Sequence, residues 1–368
     1  MIALNAVYVT HPAQEPAGDV VRIGLLAPLS GDVAAYGESV LNGFRLAVEE
    51  YDGRVGDFKI KYVVADDRND AQEAVRMATK LITADQVSAI IGSLTSRCTI
   101  PVSELAQTHK VPLITPTASN PKVTMDNGQR RDYVFRSCFI DDLQGTVAAR
   151  FALENLVLRT AAVLYDEGND YTIALAKSFK AAFEKNGGKV VLYESYSSWD
   201  TDFTPVLDRV ARVSPGALYL PDYYMNASLI GKQAKERGIK ATLLGGDGWD
   251  SEHIDYNALE GGYFTIHWSP DDPRPEVKEW VGKYKARYGA KPDMFATLAY
   301  DATRILLTAV ETAGSKEPAK IRDSVQDMKE YPAVTGRLTM GQNGNPAKPA
   351  AVMQVKGGQR VYITTLMP

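Results

Sequence analysis

From Val20 onward, short apolar runs alternate with longer stretches in which apolar side chains recur every three to four residues. Residues 21–27 form a run of strand length, and in 36–51 the positions Val40, Phe44, Ala47, Val48 and Tyr51 fall on one face of a helix. The rhythm repeats with strands predicted at 58–65, 87–92 and 112–115 and helices at 70–84 and 99–109. Asp70 followed by Glu73 has the spacing of a helix capping box. A second series follows, with helices at 142–155, 172–185, 203–213 and 227–237 and strands at 160–165, 189–195, 217–221, 242–245 and 263–267. Alternating βα units of this length imply parallel sheets covered on both faces, because each crossover must pack back on its own sheet.

The last third starts no third series. Helices are predicted at 276–288, 296–312 and 321–328, then only two strands, 336–340 and 350–364. Helices without strands of their own need an existing sheet to cover. The chain is therefore expected to return to the first lobe after His267 and to cross again near Asn345. The expected fold class is α/β, two doubly wound parallel-sheet lobes with three crossovers. One lobe takes residues 19–140 and 268–345, the other 141–267 and 346–368. Residues 1–18 lack the basic start and continuous apolar run of an intact signal peptide, and read as a disordered tail or leader remnant.

Composition narrows the function classes. With 41 Lys plus Arg against 45 Asp plus Glu, the net charge is -4 and no segment concentrates basic residues. Nucleic acid is not an expected partner. No window approaches about 18 uninterrupted apolar residues, so no membrane-spanning helix is predicted. The cysteines, Cys98 and Cys138, and the four histidines are too scattered for a metal site. Whether the two thiols pair or stay reduced is open at this level.

In open α/β sheets ligands bind beyond the carboxyl ends of the strands. Those ends read Ala27-Pro28-Leu29-Ser30-Gly31, Gly92-Ser93-Leu94-Thr95-Ser96-Arg97, Thr115-Pro116-Thr117-Ala118-Ser119-Asn120-Pro121, Asp166 to Tyr171 and Gly245-Gly246-Asp247-Gly248-Trp249. Two are rich in hydroxyls and precede helices, so hydroxyls and helix N-terminal amides converge on what suits a carboxylate. Each has a plainer reading: Ser and Thr at such turns are commonly helix caps, an Asp between glycines is commonly a turn residue, and Trp249 covers a sheet end. Catalytic signatures are missing. There is no G-x-S-x-G elbow, no phosphate-binding G-x-x-x-x-G-K-[ST] loop and no G-x-G-x-x-G after the first strand. Asp66-Asp67-Arg68-Asn69-Asp70 lacks the glycine and terminal Glu of a calcium loop and reads as an acidic turn and cap. No catalytic residues, metal or cofactor are assigned.

Together with Ile23-Gly24-Leu25-Leu26-Ala27, Tyr36-Gly37, Asn42-Gly43 and Gln144-Gly145, these segments resemble the substrate-binding proteins of ABC importers, of the leucine/isoleucine/valine-binding type. The resemblance covers nearly all of the chain after Val20. It implies the type I periplasmic binding fold, with a small ligand in the cleft and hinge closure around it. It implies that the Ser96 hydroxyl and amide hold the ligand's α-carboxylate. Ser119 falls at a family threonine that shares this role and meets the ammonium, and Thr117 offers its carbonyl to the ammonium, with Ala118 between them in the same segment. Asp247 falls at a family glutamate, the counter-ion of the α-amino group, one methylene shorter. Tyr171 and Tyr223 match second-lobe tyrosines over the ligand, and Tyr36 matches a first-lobe aromatic beside its side chain. A family cysteine would fall at Thr95, so that disulfide is absent, and the loop at 166–171 is one residue longer than the pattern.

The resemblance thus implies a non-enzymatic receptor, monomeric and periplasmic or extracellular, lipid-anchored or free, that passes an aliphatic, branched-chain or aromatic amino acid to a membrane permease. A receptor for another small carboxylate or amide is the alternative within binding proteins. A nucleotide-dependent α/β enzyme is the alternative outside them, and the missing phosphate loop argues against it.

Overall fold

A computed structural model describes residues 20–366; the reading of residues 1–18 as a tail lies outside them. The first lobe runs β1 (Val20–Ala27), α1 (Ala34–Glu49), β2 (Arg54–Val55), β3 (Phe58–Asp66), α2 (Ala71–Thr83), β4 (Ala89–Gly92), α3 (Ser96–His109) and β5 (Leu113–Thr115). The small hairpin β6 (Met125–Asp126) and β7 (Gln129–Arg130) precedes its last strand, β8 (Val134–Arg136). The second lobe runs α4 (Asp141–Arg150), β9 (Thr160–Asp166), α5 (Asp170–Lys185), β10 (Lys189–Tyr196), α6 (Thr204–Val213), β11 (Ala217–Leu220), α7 (Tyr224–Glu236), β12 (Thr242–Gly245) and β13 (Tyr263–Ile266). Then come α8 (Pro275–Tyr288), α9 (Met294–Ala313), α10 (Pro318–Gln326), the hairpin β14 (Tyr331–Ala333) and β15 (Gly336–Leu338), and finally β16 (Ala350–Lys356) and β17 (Gln359–Leu366).

The first sheet has the order β2-β3-β1-β4-β5-β8 and the second β10-β9-β11-β12-β13-β16-β17. Both share one parallel plan, with β1 between β3 and β4 in the first lobe and β9 between β10 and β11 in the second. The order reverses beside β1 in one lobe and beside β9 in the other, and such a switch point opens a crevice at the strand ends. The sites that open there are the turns after β1 and β4 in the first lobe and after β9 and β11 in the second.

Helix α9, buried along most of its length, lies on α1, where the Gly43 backbone meets the Ala296 carbonyl so closely that a Cβ at 43 would sit 2.0 Å from that oxygen. The chain passes to the second lobe after β8, returns after β13 and passes again before β16. The segment 350–364, expected as one strand, is instead two: β16 pairs antiparallel with β13 and then with β17. Gly357 and Gly358, both at positive φ, make the turn between them. The helix predicted from Thr99 begins at Ser96, and the helix expected over 142–155 gives way after Arg150 to a wider turn over Phe151–Asn155. The Asp70 carboxylate does cap α2 by accepting from the Glu73 amide, but Glu73 turns outward to pair with Arg76, so only half of the box forms.

Candidate functional site

The two switch points face each other. Between them is a cavity of about 290 Å³, open to solvent, lined by Tyr36, Leu94, Thr95, Ser96, Thr117, Tyr171, Tyr223, Asp247, Gly248 and Phe295. Six of the residues singled out in the sequence, Tyr36, Ser96, Thr117, Tyr171, Tyr223 and Asp247, meet in this one place. Each comes from a strand end: Tyr36 from the first turn of α1, Ser96 from the start of α3, Thr117 from beyond β5, and the other three from the ends of β9, β11 and β12.

One end of the cavity suits an anion. Ser96 is the first residue of α3, and no side chain caps that terminus, because the Thr95 hydroxyl is directed instead to Asn69 Oδ1 at 2.8 Å. The partial positive charge of the helix start is therefore directed at the cleft. Beneath it the cis peptide Gly92-Ser93 and the buried Asp67 fix the turn, with the Ser93 hydroxyl donating to Asp67 at 2.5 Å. The run Asp66 to Asp70 thus braces turns and caps a helix. Among the described residues there is no grouping of His, Cys, Asp and Glu suited to a metal ion.

The other end carries negative charge. Asp247 is buried; it accepts from the Tyr171 hydroxyl at 2.6 Å on Oδ1 and lies 3.0 Å from His267 Nε2 on Oδ2. Burial opposes ionisation, yet the hydrogen bonds from His267, Tyr171 and Gln144 hold its carboxyl below the usual range. His267 shifts down because burial disfavours its cation, so it is neutral at pH 7. Asp141, at the start of α4, is the opposite case: burial pushes its carboxyl well above the ordinary range.

Aromatic rings form the walls. Tyr36 stacks on Phe295 with centroids 3.9 Å apart and meets Tyr223 edge-on, while Tyr171 stacks on Tyr223 at 5.2 Å. Burial raises the pKa of all three tyrosines, so their hydroxyls stay protonated donors. The Tyr36 hydroxyl donates to the Gly248 carbonyl across the cleft at 2.5 Å.

Ala118 and Ser119 do not line the cavity. The Ala118 carbonyl accepts from the buried Arg136 guanidinium at 2.9 Å, and the Ser119 hydroxyl is buried with no hydrogen-bond partner among the described residues, like both oxygens of Asp141. Asp141 and Phe295 escaped the sequence reading because they lie in the first turns of α4 and α9, and His267, directly after β13, because it was read as the last residue of that strand. Trp249 covers the end of β12 as its plain reading has it, fully buried and donating to the Leu220 carbonyl. Cys98 and Cys138 are buried free thiols, and burial pushes both up to about 12.

The family model described as periplasmic binding protein matches residues 20–359. The chain belongs to that family. This family member is 32% identical over 331 residues to the Leu/Ile/Val-binding protein BraC3 of Rhizobium johnstonii, covering 88% of each chain. It is 28% identical to the leucine-, isoleucine-, valine-, threonine- and alanine-binding protein of Pseudomonas aeruginosa, over 89% of this chain and 88% of that one. Among solved structures it superposes with a TM-score of 0.90 on the leucine-binding protein LivK of Thermotoga maritima, at 33% identity, covering 95% of this chain and 99% of that. The branched-chain amino acid transporter substrate-binding protein LivJ of Streptococcus pneumoniae, in complex with isoleucine, gives 0.88 at 30% identity, with 95% and 100% covered.

Proposed function

We propose that this chain is the solute-binding receptor of an ABC importer, that it captures an α-amino acid with an aliphatic side chain, and that it delivers it to a membrane permease from the periplasm or the cell exterior as a monomer. The observation that carries the reading is the pairing, across one cavity, of an uncapped helix start at Ser96 with the buried Asp247 carboxyl, which accepts from Tyr171 and lies 3.0 Å from His267. A zwitterion presents a carboxylate to the first and an ammonium to the second, and charge-assisted hydrogen bonds are roughly twice as strong as neutral ones. In this reading Thr117 offers its carbonyl to the ammonium. Tyr36, Leu94 and Phe295 receive the side chain. The relatives named for leucine, isoleucine and valine support the same class of ligand.

A thermal-shift screen of the common amino acids and their desamino analogues tests this. At about 100 times its dissociation constant a ligand adds about 2.7 kcal/mol of stability. Aliphatic amino acids are expected to stabilise and the acids without an amino group are not; equal stabilisation by both would remove the ammonium from the reading. Asp247→Asn leaves the ammonium without its counter-charge, a loss of about 3–5 kcal/mol when a buried pair is broken. Calorimetry should show binding lost with folding unchanged.

A further inference from the structure

We propose that His267 is a positioning residue of the ligand site: as a neutral Nε2–H donor it fixes the orientation in which the Asp247 carboxylate meets the ligand's ammonium. The inference rests on the reading of Asp247 given above.

The tautomer follows from the two nitrogens. Nδ1 lies 3.3 Å from the Phe139 backbone amide, which can only donate, so Nδ1 carries the lone pair. The proton of the neutral ring is therefore on Nε2 and is donated to Asp247 Oδ2 at 3.0 Å. The ring has no freedom to turn away. Its side chain is 0% exposed, and it lies against the Phe139 ring with centroids 3.5 Å apart.

Charge decides why a neutral donor is useful here. A cationic partner would neutralise Asp247 before any ligand arrived, whereas a neutral imidazole orients the carboxylate and leaves its charge for the ammonium. The nearby Lys348 and Arg136, together with burial, keep the imidazole neutral. The short side chain of Asp247 makes the support necessary. Tyr171 holds Oδ1 and Gln144 also donates to the carboxylate, while His267 is the partner on Oδ2. Gly246 leaves room for the arrangement, since a Cβ there would lie 2.8 Å from the Tyr171 hydroxyl and 3.1 Å from Gln144 Nε2. The imidazole is itself held by Phe139, in the connection between β8 and α4, while His267 begins the connection after β13. Two lobe crossings therefore converge on the carboxylate.

The test uses the full chain with L-leucine and 4-methylpentanoate, the same molecule without its amino group, titrated by calorimetry into wild type, His267→Phe and His267→Gln. Loss of a hydrogen bond to a charged group predicts a drop in leucine affinity of about 10- to 100-fold in His267→Phe. Binding of 4-methylpentanoate should stay unchanged, and His267→Gln, which retains an N–H donor, should recover most of the leucine affinity. An equal loss for both ligands in His267→Phe makes the residue merely structural and overturns the inference alone. Wild type that does not prefer leucine to 4-methylpentanoate overturns the ammonium reading and this inference with it. Should either variant fail to fold, ¹⁵N NMR of histidine-labelled wild type still decides: a protonated Nε2 and bare Nδ1 at His267 support the proposal, and any other state overturns it.

Discussion

Asp222 shows how a single buried side chain makes stability depend on pH. It follows β11, and its carboxylate accepts from the Tyr223 amide at 2.6 Å, from Asn226 at 3.0 Å and from the Tyr196 hydroxyl. Those donors favour ionisation, but burial outweighs them and pushes the carboxyl up to about 6. In an unfolded chain an Asp titrates near about 4. The folded state therefore holds the proton more tightly, and stability present at low pH is lost as pH rises from about 4 through 6. Two units correspond to about 3 kcal/mol at most. Asp222→Asn cannot ionise, so relative to wild type it should gain by up to that amount between about pH 3 and pH 7, measured by urea unfolding at each pH. A difference that stays constant with pH would show that Asp222 does not titrate there. At this scale the sequence was legible where function sits on strand ends: Tyr36, Ser96, Thr117, Tyr171, Tyr223 and Asp247 share one cavity. It was silent about Asp141 and His267, because nothing in local periodicity tells which distant connection will pack behind a strand end.

At the scale of elements, the period of apolar residues located helices and strands well and their ends less well. Helix α3 starts at Ser96 because Thr95 takes extended backbone angles there, and the apolar pattern that begins at Thr99 does not report that turn. The hairpin of β16 and β17 was missed although its signal, Gly357-Gly358, stands in the sequence, because the runs on both sides look like one strand. The contact of α1 with α9 gives a sharper test of element packing. Gly43→Ala places a methyl group 2.0 Å from the Ala296 carbonyl, so the helices must separate. Overpacking of this kind costs about 1–3 kcal/mol, against the roughly 1 kcal/mol by which Ala exceeds Gly in helix propensity. Gly282, within α8, has nothing within 4 Å of an added Cβ. Thermal melts should therefore show Gly43→Ala lowering Tm and Gly282→Ala raising it. The same sign for both would mean that α1 and α9 yield to each other more easily than their close backbones imply.

For the whole molecule the decisive contacts are those that cross the cleft. Tyr36 reaches Gly248, the Tyr224 hydroxyl donates to the Asp32 carbonyl at 2.8 Å, Asn120 donates to the Asp170 carbonyl at 2.8 Å, and the Met294 amide donates to Asp250 at 2.8 Å. Each joins elements of different lobes, so a parting of the lobes would have to break them. A bond present only in the closed form stabilises ligand binding through the fraction of molecules that can close. Tyr224→Phe removes one such bond and leaves the ring packed edge-on against Tyr36, 5.2 Å between centroids. A net hydrogen bond is worth about 0.5–1.5 kcal/mol, so leucine should bind about 2- to 12-fold more weakly by calorimetry. Small-angle scattering should find the ligand-free variant more open than wild type, and the two indistinguishable at saturating leucine. The last condition separates closure from damage to the pocket, because a disturbed site would weaken binding without moving the ligand-free radius of gyration. Unchanged affinity together with an unchanged ligand-free radius would mean that the Tyr224 to Asp32 bond persists when the lobes part.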